Sequence, residues 1–265
     1  MTALTPLLRS YDQVILDLDG CVWLGDDAIE GSVDAIGALR SAGKRIAFAT
    51  NNGWHAGEDH VAKLWGIGVQ ASLADVVTVG GAMQHLLAEM SPGASAFVIG
   101  TQAMRDHVAD AGLKVMNGTD LASRASVVVI SGTDDVHYDD LRDATLAVDR
   151  GAAFLATGRD PTLPMPDGHW PGTGALLAAV ETATGRTAEI VGKPSARLFE
   201  TALDRLGDGR TLVVGDRLDA DIAAADAAGL DGALVLTGGD TPDPPPDGPQ
   251  PVKVAADLAE LVGGA

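Results

Sequence analysis

Cysteine and aromatic residues are both scarce in this sequence of 265 residues. The single cysteine, Cys21, cannot form a disulfide framework, so nothing in the composition indicates secretion. Aromatic residues make up 4% of the chain, so Ala, Val, Leu and Ile must form most of the core. Many Val and Ile residues stand in short runs between glycine-rich breaks, a pattern typical of a buried parallel sheet.

Positive charge and long apolar runs are lacking as well. Lys and Arg number 18 against 37 Asp and Glu, which gives a net charge of −19. A field of this sign repels nucleic acid and anionic membranes, so we expect neither as a partner. An anionic ligand would need a local positive site, which a metal ion, a lysine or a helix N-terminus can supply. Because no window approaches the roughly 18 apolar residues of a membrane span, we expect a cytoplasmic protein.

Short apolar runs alternate with helical patterns along the chain, which predicts a doubly wound parallel α/β sheet. The predicted strands are Val14–Leu18, Ile46–Thr50, Val76–Val79, Ala96–Gly100, Val127–Ser131, Ala153–Thr157, Thr211–Gly215 and Ala233–Leu236, and a closing helix is predicted over Ala255–Val262. Since one compact sheet of this length rarely holds so many strands, we expect two α/β units.

Two acidic residues come at the end of the first predicted strand, in the run Asp17-Leu18-Asp19-Gly20. Ligands of open α/β sheets bind at the carboxyl ends of the strands. Asp residues two positions apart there can supply a nucleophile, an acid or base, and oxygen ligands for a hard cation. The alternative is an ordinary Asp-Gly turn that binds nothing.

Three more carboxylates follow a later strand, in the run Gly215-Asp216-Arg217-Leu218-Asp219-Ala220-Asp221. At the start of a helix they repel one another unless a cation or solvent separates them. Asp219 and Asp221 are alternatively helix caps, whereas Asp216 lies at the strand end itself.

Two weaker signals follow other predicted strands. Thr50-Asn51-Asn52 offers a hydroxyl and backbone N–H groups to a phosphoryl group, and Lys193, before Pro194, offers a positive charge. Each is ordinary loop or surface chemistry when taken alone. In a parallel sheet, however, all four sites would meet at one edge.

The order of these motifs resembles the haloacid dehalogenase superfamily of phosphatases over nearly the whole chain. In particular it resembles the branch that contains NagD, the p-nitrophenylphosphatase-like enzymes, and the phosphoglycolate and pyridoxal phosphate phosphatases. Asp17-Leu18-Asp19-Gly20-Cys21-Val22-Trp23 is similar to the first motif of that branch, including its Trp, and Gly215–Asp221 is similar to its fourth. Pro171–Gly174 and Val191–Pro194 are spaced as in the branch's inserted cap.

The resemblance implies a Rossmann-like catalytic core, residues 1–82 and 187–265, with a smaller inserted α/β cap domain, residues 83–186. It implies a magnesium-dependent phosphatase that hydrolyses small phosphomonoesters through a phosphorylated Asp17. Asp19 would protonate the leaving alkoxide and then deprotonate the attacking water.

The resemblance also implies a ligand set. Mg²⁺ would be held by the Asp17 carboxylate, the Asp19 backbone carbonyl and Asp216, with Asp221 orienting its waters. The residues assigned to the phosphoryl oxygens are Thr50, Asn51 and Lys193.

The cap carries the expected substrate contacts, in the loop Gly158-Arg159-Asp160. The family often has Asn where Gly158 stands, and Arg159 either meets a substrate anion or is simply solvated. After motif two, Gly53-Trp54-His55 replaces the usual Ser or Thr followed by Arg. Caps of this branch often pair into dimers, and nothing in the sequence excludes a homodimer through the cap, so the oligomeric state stays open.

Two alternatives to a phosphatase are a phosphotransferase or mutase and a catalytically silent regulator. A phosphotransferase or mutase usually carries a helical cap between motifs one and two, and the single helix between Asp19 and Thr50 leaves no room for it. A catalytically silent Mg²⁺-binding regulator would be expected to lack Asp17 or Asp19. The physiological substrate stays open among glycerol 3-phosphate, phosphoglycolate, nucleoside monophosphates, pyridoxal phosphate and sugar phosphates.

Overall fold

The computed structural model of the chain describes residues 4–90, 93–165, 168–238 and 248–264. The chain divides into two compact units. The first comprises Met1–Thr50, Gly57–Val77 and Lys193–Ala265, and the second Asn51–Ala56 and Thr78–Gly192. The assignment of residues 83–186 to an inserted cap domain stays a prediction.

Ten α-helices and fifteen strands are present in the described part of the chain. The helices are α1 (Pro6–Arg9), α2 (Ser32–Ser41), α3 (Gly57–Gly66), α4 (Val79–Met90), α5 (Gln102–Asp110), α6 (Tyr138–Asp149), α7 (Thr173–Thr184), α8 (Arg197–Leu206), α9 (Ala223–Ala227) and α10 (Leu258–Gly263). The strands are β1 (Gln13–Leu16), β2 (Trp23–Leu24), β3 (Asp27–Ala28), β4 (Arg45–Thr50), β5 (Val76–Thr78), β6 (Ser95–Ile99), β7 (Lys114–Val115), β8 (Val127–Ile130), β9 (Ala153–Ala156), β10 (Thr162–Met165), β11 (Gly168–Pro171), β12 (Glu189–Ile190), β13 (Thr211–Gly215), β14 (Asp231–Val235) and β15 (Lys253–Ala255).

A six-stranded sheet forms the centre of the first unit, in the order β15-β14-β13-β1-β4-β5. The pairs of β1 with β4, β1 with β13, β13 with β14, and β14 with β15 are all parallel. Every residue of β1 and β13 is buried, which explains their unbroken apolar runs, since a parallel strand covered on both faces has no solvent side. The predicted parallel α/β core is confirmed.

Several predicted element ends are wrong: Leu18 lies beyond the end of β1, which is Leu16, and Leu236 lies beyond the end of β14, which is Val235. Val79 is not the end of a strand but the first residue of α4. The closing helix does not include Ala255, which is the last residue of β15. That helix begins at Leu258, because the carboxylate of Asp257 accepts a hydrogen bond of 2.8 Å from the backbone N–H of Glu260 and caps the helix there.

The second unit is built on a five-stranded sheet in the order β12-β9-β8-β6-β7, parallel in every pair. An antiparallel hairpin, β10 and β11, precedes α7. Helices α6 and α7 bury Ala144, Ala147 and Leu177 in an apolar cluster with Val128 and Ile130 of β8. The second α/β unit expected from the strand count is therefore present.

None of the described helices is both long enough and apolar enough to cross a membrane.

Candidate active site

The strand order of the sheet in the first unit reverses beside β1: β4 and β5 follow on one side of it, and β13, β14 and β15 on the other. Such a switch point leaves a crevice at the carboxyl ends of the strands. Asp17 follows β1, and its backbone N–H donates to the carbonyl of Val214 in β13 at 2.8 Å. Asp216 follows β13, and Thr50 ends β4, so three predicted site residues stand at adjacent strand ends.

Three buried carboxylates form the centre of this site. Asp17, Asp216 and Asp221 each place an oxygen atom within 4.8 Å of the others. They are 7%, 5% and 1% exposed, respectively. Asp221 reaches the cluster from a single π-helical turn, Leu218–Ile222, that leads into α9. Buried like charges at this spacing require a counter-charge.

Lys193 supplies one positive charge to the cluster. Its ammonium donates to Oδ1 of Asp17 at 2.5 Å and to Oδ1 of Asp221 at 2.6 Å. A third, longer hydrogen bond of 3.4 Å reaches the carbonyl of Ala49 in β4. The lysine is 4% exposed, so these contacts lie in a desolvated space where charge-assisted hydrogen bonds are strong.

Burial is the main influence on the pKa values of these groups. It raises the pKa of Asp17 well above its usual range, against the opposing effect of Lys193, and it raises the pKa of Asp216 to about 7. Repulsion by the Asp221 carboxylate raises both pKa values further. For Lys193, burial alone would lower the pKa, but the attraction of Asp17 and Asp221 outweighs it and the pKa is raised. The lysine therefore keeps its charge.

The donor set fits Mg²⁺. Three carboxylates against one ammonium leave an excess of negative charge, and carboxylate oxygens are ligands that Mg²⁺ prefers. Gly20 and Gly238 leave room for the carboxylate of Asp216, because a Cβ at either position would overlap it. Gly20 also has a φ of +86°, a conformation that favours glycine.

Asp19 stands apart from the carboxylate cluster and is exposed. Its Oδ1 accepts a hydrogen bond of 2.9 Å from the indole N–H of Trp23, and its Oδ2 lies 3.5 Å from the hydroxyl of Thr50. An accessible carboxyl group beside buried charged groups has the placement of a general acid or base. The expected metal contact of Asp19 through its backbone carbonyl stays a prediction.

Asn51 and Gly158 lie together in the second unit. A Cβ on Gly158 would come within 2.9 Å of Oδ2 of Asp160 and within 3.7 Å of Nδ2 of Asn51. A Cβ on Gly192 would overlap the Asn51 amide. The Asn51 amide therefore lies directly against Gly192, where there is no room for a side chain.

Arg159 has a partner of its own within the second unit. Its guanidinium donates to both carboxylate oxygens of Glu181, at 2.9 and 2.8 Å. These hydrogen bonds raise the pKa of Arg159 and lower that of Glu181. A contact between Arg159 and a substrate anion stays a prediction.

Several residues that touch the site carry no functional signal in the sequence. The first motif includes Trp23 but does not indicate its contact with Asp19. Thr237 and Gly238 follow β14, and they reach the site from there: the Thr237 hydroxyl donates to the carbonyl of Gly20, and Gly238 lies against Asp216. A Thr-Gly pair after a strand does not indicate a contact with the active site from sequence alone.

Comparison with known proteins agrees with the geometry of the first unit. Residues 14–114 match a family model described as haloacid dehalogenase-like hydrolase, and residues 190–261 match one described as HAD-hydrolase-like. The D-glycerol 3-phosphate phosphatase of Mycobacterium tuberculosis is 40% identical over 234 residues, which is 88% of this chain and 65% of that protein. The chain therefore spans slightly less than two thirds of that relative's length.

Two further comparisons cover more of the matched protein. The acid sugar phosphatase of Staphylococcus aureus is 33% identical over 87% of this chain and 88% of its own length. A crystal structure of a glycerol phosphate phosphatase from Mycobacterium tuberculosis in complex with magnesium has a TM-score of 0.88 at 36% identity, over 98% of this chain and 78% of that one. The chain belongs to the haloacid dehalogenase-like hydrolases, in the branch of the NagD and p-nitrophenyl phosphatase proteins.

Proposed function

We propose that this chain is a magnesium-dependent phosphatase that hydrolyses small phosphomonoesters through a phosphorylated Asp17. The observation that carries the proposal is that two carboxyl groups with different surroundings, those of Asp17 and Asp19, lie at one edge of the sheet. Asp17 is buried and held by Lys193, whereas Asp19 is exposed and hydrogen-bonded to Trp23. Two carboxyl groups in contrasting environments are suited to separate roles as nucleophile and as acid or base.

The proposed reaction has two steps. In the first, an oxygen of Asp17 attacks phosphorus, the ester P–O bond breaks, and Asp19 gives its proton to the departing alkoxide. In the second, Asp19 takes a proton from water as that water attacks phosphorus, which releases inorganic phosphate and restores Asp17. Phosphoryl transfer relies mainly on positioning and on neutralised charge, and Lys193 contributes to both because it fixes Oδ1 of Asp17.

When bound, Mg²⁺ would neutralise charge on the phosphoryl oxygens and on the nucleophile. We propose that the Asp17 carboxylate, the Asp19 carbonyl and Asp216 hold it, with Asp221 beside them. Thr50, Asn51 and Lys193 are the proposed phosphate-binding residues.

The substrate class rests on the relatives, which are named for glycerol 3-phosphate and for sugar phosphates. We propose small polyol or sugar phosphomonoesters for this chain, with Gly158, Arg159 and Asp160 as contacts in the proposed cap, residues 83–186. A cytoplasmic location stays a prediction from the sequence, and a homodimer through this cap stays open.

The test is phosphate release from a panel of phosphomonoesters, with Mg²⁺ and with EDTA. Turnover that EDTA abolishes and Mg²⁺ restores supports the phosphatase. Transfer of the phosphoryl group to an added alcohol in preference to water would favour the alternative phosphotransferase. Binding of Mg²⁺ without turnover of any ester would favour the silent regulator.

A further inference from the structure

Trp23 makes the shortest hydrogen bond described for the Asp19 carboxyl group. The indole N–H donates to Oδ1 of Asp19 at 2.9 Å, and the two residues also form a backbone bridge. The backbone N–H of Gly20 donates to the carbonyl of Trp23 at 2.8 Å, which closes the turn between them. Trp23 is 1% exposed and belongs to the core of the first unit, whereas Asp19 is exposed. The buried indole of Trp23 therefore fixes one oxygen of the accessible Asp19 carboxyl group.

Helix α3 fixes the indole ring in turn. The ring of His60 lies parallel to it, with 6.4 Å between the ring centroids and an interplanar angle of 2°. The ammonium of Lys63 lies 4.3 Å from the Trp23 ring centroid and donates to the carbonyl of Gly25 at 2.5 Å. Stacking and a cation–π contact restrict the ring on its faces, so its N–H direction is set by packing.

The direction of this hydrogen bond distinguishes the two oxygens of Asp19. An indole N–H is a donor only, so Oδ1 must act as an acceptor. Oδ2 faces the Thr50 hydroxyl at 3.5 Å, and because a hydroxyl can both donate and accept, Oδ2 can carry the proton of a protonated Asp19 while Oδ1 accepts from Trp23. Thr50 ends β4 at the same sheet edge as Asp17.

We propose that Trp23 is the positioning residue for acid catalysis: it holds Oδ1 of Asp19 so that Oδ2 faces the leaving group and delivers the proton. This inference rests on the proposed phosphatase function. It extends that function by assigning the proton transfer to one atom and its orientation to one residue outside the metal and phosphate ligands. In the proposed step the proton leaves Oδ2 for the ester oxygen as the P–O bond breaks, and Trp23 keeps its own N–H.

The proposal predicts a dependence on the leaving group. Glycerol 3-phosphate releases an alkoxide, which needs a proton as it departs, whereas p-nitrophenyl phosphate releases a stable phenolate that does not. The parameter kcat/KM reports the steps up to departure of the leaving group when that departure is irreversible. A loss of orientation at Asp19 should therefore lower kcat/KM for the alkyl ester and spare the aryl ester.

The experiment compares Trp23→Phe with the wild-type chain on both esters in the presence of Mg²⁺. General acid catalysis contributes about 10²–10⁴-fold, so we expect kcat/KM for glycerol 3-phosphate to fall by at least about tenfold and that for p-nitrophenyl phosphate by less than about threefold. The matched control is Trp65→Phe. Trp65 lies on α3, the helix that packs against Trp23, is exposed, and donates its indole N–H to the backbone carbonyl of Ala71 at 2.7 Å, so its replacement removes an indole hydrogen bond that does not involve Asp19.

A second variant guards against a general loss of packing. Placing benzothienylalanine at position 23 by codon suppression keeps the shape of the indole and removes only its N–H. The same selective loss in this variant supports the proposal. Equal losses on both esters, or no loss on either, would overturn it. If the wild-type chain hydrolyses neither ester, the proposed function itself fails, and that result differs from every outcome that bears on Trp23.

Discussion

Replacing Asp216 by Asn should stabilise the metal-free protein. The buried carboxyl group of Asp216 has a pKa of about 7 instead of its ordinary 3.8, mainly through burial and then through repulsion by Asp221. One pKa unit corresponds to about 1.4 kcal/mol, so the ionised group destabilises the metal-free fold by up to about 4 kcal/mol. Because Asn is isosteric and uncharged, we expect Asp216→Asn to be more stable by about 2–4 kcal/mol at about pH 8 in EDTA.

The pH dependence has a definite sign. A carboxyl group whose pKa is raised on folding binds its proton more tightly in the folded state, so its destabilising effect is present above about 7 and fades as the pH falls toward 3.8. The stability difference between Asp216→Asn and the wild-type chain should therefore shrink as the solution is made acidic.

Mg²⁺ should reverse the order of stability. A ligand that binds only the folded state adds about 4.1 kcal/mol at a thousandfold excess over its Kd, which matches or exceeds the expected difference of about 2–4 kcal/mol, and the wild-type chain alone keeps the full carboxylate set. Urea unfolding with EDTA and with Mg²⁺ measures both effects.

As a control, Asp219→Asn removes an exposed carboxylate that pairs with Arg217, and it should change stability by no more than about 0.5 kcal/mol. Equal or lower stability of Asp216→Asn in EDTA at alkaline pH would refute the reasoning.

Two further predictions concern the nucleophile and the second unit. Asp17→Asn should lower kcat for phosphate release to below about one thousandth of the wild-type value, since the proposed nucleophile is lost, whereas Asp219→Asn should retain activity. In the second unit, Gly132→Ala should destabilise the protein by about 1–3 kcal/mol, because the added Cβ would overlap the ring of Trp54. Gly81→Ala, whose Cβ would meet only an ordinary contact inside α4, should be neutral or slightly stabilising; equal thermal shifts for the two alanine variants would contradict the packing argument.

Much of the fold was predictable because buried parallel strands leave a clear pattern. Strands β4, β8 and β13 each contain an unbroken run of at least three apolar residues, and the predicted ends of each lie within one residue of the observed ends. The two-residue strands β2, β3 and β7 were not found, because two residues carry no period. The last strand, β15, is not predicted because three residues are too few to show a period, and its last residue, Ala255, is assigned to the closing helix.

The candidate site was predictable as far as residue types at strand ends allow. Acidic residues after β1 and β13 had to meet at one edge once the strands were known to be parallel neighbours. The separate surroundings of Asp17 and Asp19 were not predictable, because they depend on Lys193 and Trp23, which approach from different directions. The direct contact between Asp221 and Lys193 likewise depends on a π-helical turn, which no sequence pattern predicts.

The two glycines that flank Asp216 would respond differently to the loss of its carboxylate. Gly20 and Gly238 are far apart in sequence, yet each is barred from gaining a side chain by the same carboxylate. A lineage that lost the need for Asp216, and shortened it, would free position 238, whereas the positive φ of Gly20 would still favour glycine there. Tolerance to substitution at position 238 therefore indicates whether selection still maintains the Asp216 carboxylate.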